Sequence, residues 1–526
     1  MCNFNGRGDW LTLLTISCSC LLGLGPRAFG QDVDDNAVPM TSTDISTTQP
    51  EVVGDVTFQF ADTAFESGTT EGGVAGDPCP PKRRAALKAA AAAAYKDPFY
   101  DNDFKYLNDP CYDGHLLGER LKQLSPSDEW GTLDIGGQYR LRYQDEQNMR
   151  GLGLTGLSDE FLLRRMRLYA DWHVNEWLRC YAEYLSANSD FDDFPPRAIE
   201  HDPHEIQNLF VDARLWETCD GDTWGRVGRQ ELLYGSQRLI SPLDWANTRR
   251  TFDGAKLFYR GSDWNVDGFW VRPIFGEPES LNSPDDTQEF YALWGTYKGH
   301  EGHVYDLYWI GYHDYDSPFP AGRTFAFETI GGRWKGAHCG WLGEVEGGYQ
   351  FGAFGDMSHS AGFFTLGVGR QLCEDCGKPT LWAYYDWASG DDTIGNGFNQ
   401  NFPLGHKYLG FMDFYARTNI EDLNFQLEVQ PRKDWKLLLW WHIFHLQNGN
   451  DVPYRINGTP FVTTPGGSRY LGQELDFLAT WNMTPRTSWL FGYSHYFTGT
   501  WYDTNPTPPP FSGDADFAYV QFQVNF

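Results

Sequence analysis

Residues 131–526 predict an all-β fold, an eighteen-stranded antiparallel transmembrane β-barrel, and three observations carry the prediction. The first is the closing stretch. Ala518, Val520, Phe522, Val524 and Phe526 are apolar, and Tyr519, Gln521, Gln523 and Asn525 stand between them. A strand has a side-chain period of two, so this stretch writes one face for lipid and one for a polar lumen. The second is the spacing of such stretches. One set of gaps is short: 175–176, 218–223, 261–263, 299–301, 337–339, 372–378, 432–434 and 483–485. The alternate set is long: 145–160, 189–205, 232–251, 275–287, 314–323, 390–420, 448–467 and 499–514. Periplasmic turns and extracellular loops produce that rhythm, and a β-sandwich has no reason for it. The third is composition. Aromatic residues make up 16% of the chain, as two interfacial girdles require, yet mean hydropathy is negative. No segment past the first thirty residues is apolar for 18 residues, which excludes membrane helices but not strands. Aromatic richness by itself also suits a secreted carbohydrate-binding β protein.

The chain begins with a segment of signal-peptide form, residues 1–30: Arg7, an apolar run from Leu11 to Leu24, and the small-x-small triplet Ala28-Phe29-Gly30. Residues 31–78 follow as an acidic tail of Thr, Ser, Asp, Gly and Pro. With ten Asp or Glu and no Lys or Arg between 31 and 80, and few large apolar side chains, this tail is expected to be disordered. The net charge of −30, a third of it in the tail, disfavours nucleic acid as a partner. Residues 79–130 form a separate extension. It opens with Cys79-Pro80-Pro81 and the alanine-rich run to Lys96, a helix by propensity, with proline just ahead of its start. Lacking a stripe of large apolar residues, that helix reads as a solvated spacer. Seven cysteines remain after residue 30, an odd number in an oxidising compartment. Cys79 and Cys111 are either a bridge across the helix or two separate thiols. Cys180 and Cys219 fall at the short-turn side of near-neighbour strands, where a bridge is geometrically possible. Cys373-x-x-Cys376 lies in a short turn and reads as a staple or idle thiols rather than a redox centre.

From Gly131 the strands run in order. Leu133, Ile135, Tyr139, Leu141 and Tyr143 alternate with Asp134, Gln138, Arg140, Arg142 and Gln144. Met166, Leu168, Ala170 and Trp172 then alternate with Arg165, Arg167, Asp171 and His173. Further alternating stretches bring the count to eighteen, an even number as bacterial barrels require.

Chemistry concentrates in the first third of the barrel, where residues 131–272 hold sixteen arginines and one lysine. Arg140, Arg142, Arg165, Arg167, Arg179 and Arg214 sit on polar faces. Arginine facing lipid at the midplane costs a few kcal/mol, so these side chains are expected to line the lumen. A guanidinium fork binds carboxylates bidentately, and rings of arginine select for anions. The competing reading is neutralisation by Asp134, Asp171, Glu183 and Asp212 on the same faces. No metal-ligand spacing, P-loop, dinucleotide fingerprint or nucleophile elbow is present, so neither a cofactor nor a catalytic centre is expected. Asp391-Asp392 and the Glu474/Asp476 pair lack any supporting motif. The latter fits a lumen wall better than an acid/base pair.

The block V-G-R-Q-E-L-L-Y-G-S-Q-R-L at 227–239 with W-A-N-T-R-R-T-F-D-G-A-K-L at 245–257 resembles the alginate export family of outer-membrane barrels. So do W-A-S-G-D-D at 387–392, F-N-Q-N-F-P-L-G-H-K-Y-L-G at 398–410 and N-I-E-D-L at 419–423. The resemblance covers about 131–526. It implies a monomeric eighteen-stranded barrel with an arginine-rich, anion-selective lumen that conducts acidic polysaccharide. By motif position, Arg229, Gln230, Arg238, Arg249, Arg250 and Asp253 become pore or loop-shaping candidates. It also implies that Phe526, the terminal aromatic, is read by the barrel-assembly machinery. The extension at 79–130 departs from the family pattern, so an anionic solute or polysaccharide is the expected cargo rather than alginate itself. The expectation is therefore an outer-membrane channel in lipid, with its extension in the periplasm. The rivals are an unspecific porin and a secreted carbohydrate-active enzyme or lectin.

Overall fold

The computed structural model describes residues 79–526 apart from 126–129, 317–322, 374–375 and 508–510. The expected signal segment and acidic tail, 1–78, lie outside the described residues. Eighteen strands form one sheet. The first six are β1 (Thr132–Gln147), β2 (Asp159–Asn175), β3 (Leu178–Asp190), β4 (Asp202–Thr218), β5 (Gly221–Gln230) and β6 (Thr251–Gly261). The next six are β7 (Trp264–Ile274), β8 (Gln288–Tyr297), β9 (His303–Asp314), β10 (Phe325–His338), β11 (Trp341–Phe354) and β12 (Met357–Gln371). The last six are β13 (Thr380–Ala388), β14 (Ile420–Arg432), β15 (Trp435–Leu446), β16 (Tyr470–Thr484), β17 (Thr487–Thr498) and β18 (Ala515–Asn525). Each pairs antiparallel with the next, and β1 pairs with β18, so the sheet closes on itself and leaves no edge.

The period-two pattern sorts the side chains. On β2, Phe161, Leu163, Arg165, Arg167, Tyr169 and Asp171 are buried, while Met166 and Leu168 between them are exposed on the outer wall. On β18, Phe517, Tyr519 and Gln521 face in and Val520 faces out. The closing seam runs to the last residue. Phe526 donates to the Gly137 carbonyl at 2.9 Å and accepts from the Gly137 amide at 2.8 Å. Deleting Phe526 removes this pair, and we expect a several-fold lower outer-membrane level of heat-modifiable barrel with secretion intact. A normal level of the deletion would refute that expectation.

Three expectations are corrected. The long-connection end is not uniformly long: β11 and β12 are joined by Gly355 and Asp356 alone, with Gly355 at φ +58°. A two-residue hairpin of this type needs that left-handed backbone, which glycine adopts at least cost. Cys180 and Cys219 do not bridge; both are free thiols. Cys180 stands opposite Val211, so Cys219 lies eight positions farther along, roughly 27 Å at strand rise, whereas a disulfide needs Cα atoms within about 7 Å. The alanine-rich helix α1 (Pro81–Ala92) is not a free spacer. Its last turn is packed: Ala91 is buried, and its carbonyl accepts from Arg486 in the β16–β17 turn at 2.9 Å. Alanine's small side chain is what permits that approach. Cys79 and Cys111 are bonded and close the loop that carries α1, and Cys373 is bonded to Cys376.

Candidate functional site

Two connections from the long-loop end turn inward and fill the lumen. The first, 231–250, joins β5 to β6; the second, 389–419, joins β13 to β14. They meet as a short parallel bridge at Ile240 and Phe402, with Ser241 donating to the Phe402 carbonyl and Phe402 to the Leu239 carbonyl, both at 2.9 Å. Buried Leu239, Ile240, Phe398, Phe402, Leu404, Phe411 and Phe414 form one apolar cluster with inward-facing Phe252, Phe290, Phe327 and Phe363 of the wall. Arg238 crosses to β11 and donates to Glu344 and Glu346 at 2.7 Å each, and Met412 donates to Glu474 of β16 at 2.9 Å.

The inward faces of β1 and β2 bring Arg140, Arg142, Arg165 and Arg167 together, with Arg140 directly opposite Arg165. Like charges so placed repel, and the 231–250 loop offsets this with a row of carbonyls. Arg140 donates to the carbonyls of Asp244 at 2.8 Å and Ala246 at 2.6 Å. Arg142 donates to the Trp245 carbonyl and to Gln521 Oε1, both at 2.8 Å, and its guanidinium lies 3.7 Å from the Trp245 ring. Arg165 reaches Gln138 Oε1 at 2.7 Å and Asp244 Oδ1 at 2.6 Å. Arg249, from the same loop, ties Glu231, Asp244 and Asp97 together. Arg167 bonds Glu183 and stands 3.6 Å from Glu231. Burial opposes a charge on Asp244, but Arg165, Arg249 and Arg140 outweigh it and hold the carboxyl below the usual carboxylate range.

The remaining sequence candidates are dispersed. Arg179 grips Asp171 at 2.7 and 2.8 Å, and Arg229 grips Asp253 at 2.9 and 3.1 Å and also pairs with Glu205. Arg214 lies at the short-turn rim, 3.3 Å from Glu217 and 3.9 Å from the exposed Glu176. Gln230 is buried at the end of β5, its amide donating to the Gly228 carbonyl at 3.3 Å. Among the described residues, the Arg250 side chain donates only to the carbonyls of Ser241 at 3.1 Å and Pro403 at 3.3 Å. Burial pushes Arg250 down to about 10, with only Tyr312 pulling the other way. Of the acids expected to neutralise the wall, Asp171, Glu183 and Asp212 do pair with arginines. Asp134 instead accepts from the Gln123 amide.

Above this layer, on the long-loop side, lies a cavity of about 680 Å³ bordered by Arg142, Arg250, Trp245, His406, Asp413 and Tyr312. Its floor is a stack of planes: the Arg142 guanidinium on Trp245, Trp245 on His406 with centroids 3.6 Å apart, and His406 on Phe411 at 4.8 Å. Sequence reasoning missed Trp245, the 244–246 carbonyls and Arg226, which holds Asp212 bidentately at 2.7 and 2.8 Å. The available signal was composition: Phe398, Phe402, Leu404, Leu409, Phe411 and Phe414 make 389–419 too apolar for a solvated loop. Among the described residues no cluster of His, Cys, Asp or Glu is arranged to hold a metal.

Residues 132–507 match the family model described as alginate export. Among solved structures, OccK8 (OprE) of Pseudomonas aeruginosa superposes with a TM-score of 0.51 at 10% identity, covering 75% of this chain and 98% of that one. OccAB1 of Acinetobacter baumannii gives 0.51 at 9% identity, covering 77% and 99%. At such identities the likeness is one of fold. No curated protein sequence matches.

Proposed function

The chain belongs to the alginate export family and is an outer-membrane transport barrel rather than an enzyme, and on that premise we propose that it passes anionic solutes or acidic polysaccharide along its lumen arginines. The observation that carries this reading is the state of three of them. Arg140, Arg142 and Arg250 bond only neutral acceptors among the described residues, so their charges are not cancelled by a bonded carboxylate. Two of the three, Arg142 and Arg250, border the cavity, and Nη2 of Arg142 is buried without a partner. A guanidinium held away from water with spare donors favours a carboxylate, which accepts two parallel bonds.

The reading keeps the sequence-level domain plan. Residues 1–30 direct export, 79–130 lie on the periplasmic side and 131–526 form the barrel. The extension packs at the short-turn end, which in barrels of this class faces the periplasm. The partners are lipid, a carboxylated solute and, through Phe526, the assembly machinery; the barrel works as a monomer. Reversal potentials in planar bilayers under a salt gradient test it. The full-length barrel is expected to prefer anions, and Arg142→Gln with Arg250→Gln to lower that preference severalfold. Cation preference, or no change in the double variant, would leave an unspecific porin.

A further inference from the structure

We infer that residues 95–106 of the extension are a built-in stopper, seated on the arginine row of the short-turn mouth, which an acidic polymer must displace to pass. The inference rests on the anion-route reading and goes beyond it, because it places an occupant from the chain itself on a second set of lumen arginines, Arg167, Arg179, Arg226 and Arg249.

One short stretch of the extension meets four arginines. Asp97 pairs with Arg249. The Phe99 ring lies 3.8 Å from the Arg167 guanidinium, and the Tyr100 ring 4.3 Å from that of Arg226. The Tyr100 carbonyl accepts from Arg179, and the Tyr100 hydroxyl donates to the Glu231 carbonyl at 2.8 Å, where the inward loop leaves β5. Phe99 and Tyr100 are buried against Tyr169, Tyr181 and Phe210, which face inward from β2, β3 and β4. The segment is therefore inside the wall and not draped across the turns. Both its flanks are pinned. Arg486 holds the Ala91 carbonyl and, at 3.1 Å, the Tyr106 hydroxyl. Lys122 donates to the carbonyls of Ile135 and Phe526 at the closing seam.

The chemistry explains the choice of occupant. The carboxylate on Arg249 is the contact a carboxylated sugar polymer would also offer, while the aromatic rings over Arg167 and Arg226 cover guanidiniums whose donors such a polymer's carboxylates could otherwise reach. A segment in the same chain wins that contest at rest because its effective concentration is high. The Cys79–Cys111 bond helps by closing the loop that presents it and so limiting the freedom lost on docking. A multivalent polymer can still win by engaging successive arginines, whereas a single small anion cannot.

The test uses the full-length barrel. Phe99→Ala with Tyr100→Ala is expected to raise mean single-channel conductance severalfold while leaving the sign of the reversal potential unchanged. Adding a uronate oligomer to the unaltered barrel is expected to speed amide exchange across 95–106 by about tenfold, with uronate monomer giving no such effect. Heat-modifiable migration reports whether the double variant folds; if it does not, Asp97→Asn is read in the same way. Unchanged conductance in a folded variant overturns the stopper, as does exchange that the oligomer leaves unaltered. Raised conductance without anion preference keeps the stopper and removes the anion route.

Discussion

Truncating Phe402 to alanine is expected to loosen the lumen by about 3–5 kcal/mol, the cost of removing a buried phenylalanine. The residue joins both inward loops to the wall. Its ring lies 5.1 Å from Phe252, 4.8 Å from Phe290 and 4.8 Å from Tyr312, and its backbone makes both hydrogen bonds of the bridge to 231–250. The cost falls on the loops rather than on the barrel, whose ladder of backbone bonds is untouched. It should appear as local opening. Amides of Ser241 and Phe402 are expected to exchange about 150- to 4,000-fold faster, since each tenfold corresponds to about 1.4 kcal/mol. Conductance should rise and become noisier. Protected amides with steady current would mean that other contacts hold the loops in the lumen.

Replacing Arg238 with leucine is the second large effect, of about 3–5 kcal/mol by a different mechanism. Arg238 is fully buried and brings its charge from the first loop to Glu344 and Glu346 on β11, while its guanidinium lies 4.2 Å from the Tyr408 ring of the second loop. Removing it leaves two carboxylates inside the lumen with one fewer cation. Arg333, 3.8 Å from Glu344, and Lys335, directly opposite Glu344 on β10, remain, so the stranded charge falls chiefly on Glu346. The penalty comes from the stranded charge and not from lost packing, so it can be reversed. Adding Glu346→Leu should recover much of the loss, and a double-mutant cycle in denaturant unfolding measures the coupling. Simple additivity of the two substitutions would show that the crossing contact does not pin the loop.

These two residues mark the boundary between what was legible and what was not. The alternation that predicted eighteen strands is local: whether Val520 faces lipid depends on its neighbours two places away and on little else. For the same reason the inward facing of Arg140, Arg142, Arg165 and Arg167 was readable from β1 and β2 alone. Where pairing needed distance along the strand, local reading failed, as with Cys180 and Cys219. The tight turn at Gly355 and Asp356 was passed over among longer connections although Gly-Asp is itself a two-residue hairpin signal.

The sequence by itself determined a closed β-barrel, its lipid and lumen faces, its seam at β1 and β18, and the family to which residues 132–507 belong. Period-two patterning encodes all of that one strand at a time. Only the tertiary structure decided that the lumen is filled, that Asp244 and its neighbouring carbonyls gather four arginines, and that the extension reaches inside to meet one of them, Arg249. Those outcomes join residues such as Asp97 and Arg249, or Phe252 and Phe402, that lie about 150 positions apart. No local period records which loop will bury its apolar side chains in the barrel, because that is settled by the cavity the closed sheet leaves to be filled.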